Sequence, residues 1–406
     1  MAEESISKSS DGPLKGLKVL DVASLFAGPV IATLLGDFGA DVIKVEHPKG
    51  DAQRTMGWQK NGTSLWWSFI GRNKRSVTLD LHHETGQKLL KELVKDADVL
   101  IENFRPGTFE SWGLGYEDLA AINPHLVMVR VTAFGQTGPY SDRPGFGTLA
   151  EAMSGFAHIN GYPDGPPTLP PFALGDAVAA LFGTSATMFA LHHRDKQPDR
   201  PGQFVDLSIY EPLFWILGPQ ASIYDQLGVV QERTGNRAPF TSPRNSYQSS
   251  EGKWIVLSGS SQSIADRVMQ MIGADHIISE PWYRNHQGRL EHQDLIDDLI
   301  GSWVAARTTE EVMDAANEAQ VAMMPVLTIE DIFTDPQYLA RETIISVDDD
   351  AQGAVKMQNV IPRLSKTPGS VRSIGPGLGE HNREIYIDQL GHSEEEFASW
   401  LAEGLI

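Results

Sequence analysis

Leu17-Lys18-Val19-Leu20-Asp21-Val22, the turn Phe26-Ala27-Gly28-Pro29, a helical run from Pro29 to Phe38 stopped by Gly39, and Asp41-Val42-Ile43-Lys44-Val45-Glu46 decide the fold. The two apolar runs read as strands. Proline suits the first turn of a helix because its missing N–H would be unpaired there, and glycine suits the exit. Strand, helix and strand in so short a span predict a parallel pair joined by a crossover helix. The pattern continues outward. Ser76 to Leu81 alternates apolar and polar, Glu84 to Val94 carries a helical stripe at Leu89, Leu90, Leu93 and Val94, and Val99 to Ile101 and Leu126 to Val131 read as further strands. An α/β fold with a mostly parallel, Rossmann-like sheet covered by helices follows.

Thr148 to Leu191 reads as helical on both sides of a loop, Asn160 to Pro171, whose five prolines fix its shape. Gln203 to Ile209 is another strand. A second region begins near Gly228. Tyr247-Gln248 and Trp254 to Leu257 flank Glu251-Gly252-Lys253 as a hairpin. Helices follow at Ile264 to Met271, Gln293 to Ala306 and Glu310 to Ala319, the last opened by a Thr308/Glu311 capping box. Met324 to Leu327 leads into a closing section with a helix near Glu394 to Leu401.

At roughly 100–200 residues per domain, 406 residues predict two or three domains. A net charge of −20 repels phosphate backbones and anionic lipid, which argues against nucleic acid and membrane surfaces as partners. No cysteine is present, so disulfides, thiolate metal sites and cysteine nucleophiles are excluded. The polar start MAEESISKSSDG reads as neither a signal nor a transit peptide, and Ala177 to Leu191 is too interrupted to read as a membrane span. A cytoplasmic protein is expected.

A nicotinamide or flavin site would need G-x-G-x-x-G after the first strand, and the turn has one glycine and a proline instead. His82-His83 and His192-His193 are adjacent pairs that point to different sides of an element, so no metal site is expected. Between Ala40 and Arg105, eleven Lys/Arg stand against nine Asp/Glu, a basic stretch in an acidic protein. Arg72-Asn73-Lys74-Arg75 and Arg105 are then either solvated charge or a pocket for a phosphate-bearing small molecule. Asp176 is the only charge between Asp164 and His192. Its spacing favours a helix N-cap over a carboxylate held in an apolar pocket as nucleophile or base.

An ordered set of motifs changes that balance. Gly16-Leu17-Lys18-Val19-Leu20-Asp21 with Ala27-Gly28-Pro29, Leu35-Gly36-Asp37-Phe38-Gly39-Ala40-Asp41, Asn73-Lys74-Arg75-Ser76 with Leu79-Asp80, and Glu102-Asn103-Phe104-Arg105-Pro106-Gly107 open it. Asp164-Gly165-Pro166-Pro167, Leu174-Gly175-Asp176 and Leu378-Gly379-Glu380-His381 complete it. Together they resemble the family III CoA-transferases, also called the CaiB/BaiF or formyl-CoA transferase family. The resemblance implies a large α/β domain built from residues 1–225 and 329–406, a small α+β domain at 226–328 inserted between them, and an interlocked homodimer. It implies that Asp176 is the nucleophile, forming an aspartyl anhydride and then an aspartyl-CoA thioester. It implies CoA contacts at Phe26, Ala27, His47, Arg75, Leu79, Asn103, Phe104 and Arg105. Partners would be an acyl-CoA, with succinyl-CoA as first donor, and a free carboxylic acid. No cofactor beyond coenzyme A is expected.

Phe26 stands where formyl-CoA transferases have glutamine, His47 and Ser111 replace phosphate-binding arginines, and the glycine-rich loop is reduced to Ser258-Gly259-Ser260-Ser261-Gln262. The last departure argues against oxalate or formate as substrate. Two alternatives share the scaffold, a 2-methylacyl-CoA racemase and a CoA-ester-binding protein without chemistry. Racemization needs a proton-exchanging group on each face of the carbon. The position of the racemase histidine is Phe146 here, which exchanges no proton, and His158 lies beyond the Ser154-Gly155 landmark. Transfer is the expected reaction.

Overall fold

The opening stretch folds as β1 (Lys18–Asp21), α1 (Ala27–Asp37) and β2 (Asp41–Glu46) in the computed structural model, which describes residues 12–406. β3 (Lys74–Thr78), α2 (Glu84–Val94), β4 (Val99–Glu102), β5 (Val127–Thr132) and β6 (Gln203–Ser208) extend the pattern. The six strands pair in the order β3-β2-β1-β4-β5-β6, each pair parallel. The chain moves from β1 to one edge and then returns to lay β4 on the other side of β1. Such a reversal leaves a crevice beyond the carboxyl ends of the two central strands.

Alternation along β1 sends Val19 to one face of the sheet and Leu20 to the other. On the Val19 face, α1 and α4 (Leu174–Lys196) pack through Ile31, Leu35, Ala179 and Ala180, while α3 (Gly147–Met153) adds Ala150. On the Leu20 face, Leu89 and Leu90 of α2 meet Ile385, Tyr386 and Trp400 from the end of the chain. Gly28 lets α1 start against the exit of β1, because a Cβ there would lie 2.4 Å from the Ala23 Cβ. At 23 residues, α4 is long and apolar enough to cross a bilayer, unlike the interrupted run read from the sequence. Here one side of it is buried against α1 and the sheet.

The exposed edge of β3 is closed by the chain end. Asn382 Oδ1 accepts the Thr78 N–H at 2.8 Å, His381 N–H donates to Ser76 O, and Tyr386 Oη donates to Thr78 O. This accounts physically for the Leu378 to His381 motif, since an uncovered edge would invite pairing with other chains.

The described residues divide into two compact units. The first takes residues up to Phe156, Pro170–Gly218 and Leu339–Ile406, and the second takes Ala157–Leu169 and Pro219–Tyr338. The segment from Ala157 to Leu169 belongs with the second because Arg233 donates to His158 O and Tyr162 O, and Gly235 N–H donates to Gly161 O. Periodicity carries no trace of such long-range bonds. The second unit holds the three-stranded antiparallel sheet of β7 (Arg244–Gln248), β8 (Trp254–Ser258) and β9 (Met323–Pro325) in the order β9-β8-β7. Ile255 and Leu257 pack with Val268, Ile296, Ile300 and Val312 from its helices, and the Thr308/Glu311 capping box forms. The Ser258–Gln262 loop enters α5 (Gln262–Met271), where Ser261 is the N-cap.

Under the crevice lies a cluster of buried charge. Asp21 on β1 is fully buried, with Lys74 Nζ of β3 at 2.8 Å and Lys44 Nζ of β2 at 3.6 Å. Lys74 also donates to Pro29 O at the start of α1 (2.7 Å), and Lys44 donates to Ala23 O and pairs with Asp51 at 3.4 Å. Removing one partner of a buried ion cluster leaves uncompensated charge. We expect Lys74→Met to lower the unfolding free energy by about 3 kcal/mol or more. Urea titration followed by circular dichroism checks this, and an unchanged midpoint would mean that Lys44 alone neutralises Asp21.

Candidate active site

A cavity of about 270 Å³ opens at the crevice, lined by residues that leave β1 (Val22 to Leu25), β2 (Val45 to His47), β3 (Leu79, Leu81, His82) and β4 (Phe104), with Trp112. Three expected CoA contacts line it: His47, Leu79 and Phe104. Phe104 stacks on Phe109 at 5.2 Å and meets Trp112 edge-on. Asn103 acts one step behind the wall. Its Oδ1 accepts the Ser24 N–H at 2.8 Å and its Nδ2 donates to Ser24 O at 2.7 Å, tying the β4 exit to the β1 exit. Phe26 and Ala27 begin α1, the Phe26 ring meeting Trp66 edge-on at 5.5 Å.

The expected basic residues separate. Arg105 follows Phe104, is exposed, and its side chain has no hydrogen bond or ion pair among the described residues. Arg75 is not brought to this cavity. It sits near the amino end of β3, paired with Asp41 and Glu384 at 2.6 and 2.7 Å, and lines a different cavity. Its neighbours are engaged as well, Arg72 with Asp37 and Lys74 with Asp21. The Arg72–Arg75 run is therefore mainly structural charge, and adjacency in sequence could not reveal acids on other elements.

Sequence reasoning missed the groups that shape the cavity floor. Leu25 adopts a left-handed backbone (φ 65°), a conformation costing a branched residue roughly 1–2 kcal/mol. The Asp51 carboxylate accepts its N–H at 3.2 Å, and Lys44 holds Asp51. Glu46 is occupied by Arg54 and Ser76. Burial alone would raise its carboxyl, but these partners and Lys44 hold it below the usual range. At the rim, His82 Nδ1 lies 3.0 Å and His47 Nε2 4.0 Å from Asp80 Oδ1. His82 thus meets His47, the residue after β2, a pairing the adjacent-pair argument did not weigh.

Asp176 lies in the first turn of α4, at its third residue, so it is not the N-cap that spacing favoured. The N-cap is Ala173, which has no side chain able to cap. Glu151 of α3 supplies that function from outside, its Oε1 accepting the Gly175 N–H at 3.1 Å. Two glycines make the approach possible. A Cβ on Gly147 would lie 2.1 Å from Asp176 Oδ2, and one on Gly175 would lie 2.9 Å from Gly147 O. Burial, and then the charge of Glu151, push the Asp176 carboxyl from near 3.8 up to about 6. Glu151 had a signal of its own in the sequence, as the only acid between Asp142 and Asp164. Phe146, the N-cap of α3, is exposed.

A carboxyl raised in the folded state binds more protons there than in the unfolded chain. Its ionisation therefore costs stability as pH rises from about 4 to about 6, and the cost persists above that. Asp176→Asn should unfold at a higher temperature than wild type at pH 8, with the difference vanishing near pH 4. Differential scanning fluorimetry across pH checks this, and a pH-independent difference would contradict the assigned burial.

Known proteins bear on this geometry directly. The profile of CoA-transferase family III matches residues 14–382. The succinyl-CoA–D-citramalate CoA-transferase of Chloroflexus aurantiacus is 44% identical, covering 97% of this chain and 98% of the relative. The succinyl-CoA–L-malate CoA-transferase beta subunit of the same organism is 41% identical over 95% and 96% of the two chains. The crystal structure of a CaiB/BaiF family protein from Brucella suis superposes with a TM-score of 0.81 at 31% identity, covering 93% of this chain and 99% of the other. The chain belongs to CoA-transferase family III, and it is a CoA-transferase.

Proposed function

We propose that the protein moves CoA from succinyl-CoA to a free hydroxy- or dicarboxylic acid, through covalent intermediates on Asp176. The observation that carries the reading is the Asp176 carboxylate. It is partly buried, relieved of capping duty by Glu151, and still mostly ionised at neutral pH with a carboxyl near 6. Citramalate and malate in the names of the relatives set the class of acceptor to test. The CoA ester would lie in the cavity beyond β1 and β4, against Leu79, Phe104 and Trp112 with His47 and Arg105 nearby.

The exchange runs in balanced steps. An Asp176 oxygen attacks the thioester carbonyl, the C–S bond breaks, and CoA leaves as thiolate from a mixed anhydride. The thiolate attacks the Asp176 carbonyl, giving aspartyl-CoA thioester and releasing the donor acid. The acceptor carboxylate attacks that thioester, again expelling thiolate, which takes the acceptor acyl group and restores Asp176. Dividing the exchange this way preserves the thioester bond energy.

We also propose the interlocked homodimer. Leu181 and Phe189 on α4, and Trp215, are large apolar side chains left exposed by the single chain, as an obligate interface requires.

Four outcomes test these two proposals. Asp176→Ala should fold normally yet lose turnover by several orders of magnitude, and wild type should carry an acyl label on Asp176 that hydroxylamine removes. Transfer within roughly tenfold of wild type in that variant would end the covalent mechanism. The kcat/KM profile should rise with pH through about 6 as Asp176 ionises. Analytical ultracentrifugation should show a dimer at every dilution until unfolding, whereas a stable folded monomer would remove the interlocking.

A further inference from the structure

We propose that Glu151 is a positioning residue for the Asp176 nucleophile: it fixes the first turn of α4 through Gly175 and keeps a second negative charge beside the reacting carboxylate. The inference rests on the nucleophile reading given above. Glu151 is almost fully buried on α3, and its Oε1 accepts the Gly175 N–H at 3.1 Å, one residue before Asp176. Burying a carboxylate is costly, but the amino end of a long helix favours anions. Gly147, one turn before Glu151 on α3, brings that helix so close that its Cα lies against the Asp176 carboxylate. The same helix therefore sets both the position and the electrostatic surroundings of Asp176. Among the described residues, Glu151 is the charged side chain whose field raises the Asp176 carboxyl, after burial itself, while the Asp176 backbone N–H opposes both.

The placement has a consequence for each step. While Asp176 is a free carboxylate, it faces the like charge of Glu151. When its oxygen bonds to the donor acyl carbon, the C–S bond breaks and the electron pair leaves on the CoA sulfur. Asp176 is then a neutral anhydride, and later a neutral thioester, so the repulsion is gone. Glu151 thus raises the free carboxylate relative to both covalent states and keeps it more basic, which favours attack. A cap with no charge would fix the turn but leave this effect out.

Glu151→Gln separates the two roles, because the amide oxygen can still accept the Gly175 N–H. The intact protein is assayed for succinyl-CoA-dependent transfer across pH, with acyl labelling of Asp176 followed by mass spectrometry. We expect a thermal midpoint close to wild type, an acid limb of kcat/KM moved down by roughly half a pH unit or more, and plateau labelling slowed about three- to tenfold. Glu151→Asp keeps the charge with a shorter reach. It should retain the wild-type acid limb while its thermal midpoint falls. A Glu151→Gln profile that superimposes on wild type overturns the proposal, and so does an acid limb that moves as far in Glu151→Asp as in Glu151→Gln. If Glu151→Gln does not fold, the Glu151→Asp limb alone decides: unmoved supports the charge, moved overturns it. Wild-type labelling keeps the two readings apart. Transfer without a label on Asp176 counts against the nucleophile, whereas a labelled Asp176 with an unchanged Glu151→Gln profile counts against Glu151 alone.

Discussion

Asp21, Lys44 and Lys74 tie three neighbouring strands together at one buried point, and much of the cavity hangs from it. Lys74 reaches Pro29 O at the start of α1, and Lys44 reaches Ala23 O at the exit of β1. Through Asp51, Lys44 also supports the left-handed turn at Leu25. The strand order puts a crevice at this end of the sheet on topological grounds alone. The ion cluster gives the crevice walls a fixed form, because each buried cation has directional partners that only one backbone arrangement satisfies. The buried cluster and the strained turn are both costs that a purely apolar sheet would avoid.

Asp176 shows the opposite use of the same physics. In the ion cluster, acids and bases are buried together and their charges compensate. At the start of α4, two acids are brought together without a base acting on Asp176 among the described residues. The helix terminus offsets part of that cost by donating the Gly175 N–H to Glu151, and the glycine contacts hold the geometry. Such an arrangement is poor for stability and good for a nucleophile, a trade that fits the role proposed for Asp176 above.

Local periodicity made the sheet legible. β1, β2, α2 and β5 lie within a residue or two of where apolar spacing put them, because that signal depends only on near neighbours along the chain. What the sequence concealed was pairing at long range. Arg75 looked free to bind phosphate until Asp41 and Glu384 were seen beside it. Asp176 looked like a cap until Ala173 proved to be the cap residue and Glu151 the acceptor. Segment 157–169 joined the second unit through hydrogen bonds to residues 233–235. The motif resemblance supplied the family, but it supplied no reason for Glu151 or Gly147, which need the two helices side by side.

The charge distribution then raises a question of its own. A protein with net charge −20 handles CoA esters and carboxylic acids, all of them anions, so its long-range field opposes its substrates. Five of the eleven basic residues in the 40–105 stretch are consumed by internal acids: Lys44 and Lys74 by Asp21, Arg54 by Glu46, Arg72 by Asp37, Arg75 by Asp41. Near the cavity this leaves His47, His82 and the unpaired Arg105. Attraction of substrate must therefore come from short-range contacts. In the CoA site proposed above, the apolar and aromatic walls at Leu79, Phe104 and Trp112 would meet the body of the ester, with His47 and His82 at the rim. Affinity built this way is set by shape and burial more than by net charge. A strongly acidic surface is compatible with an anionic substrate when the binding energy is gained only after contact is made.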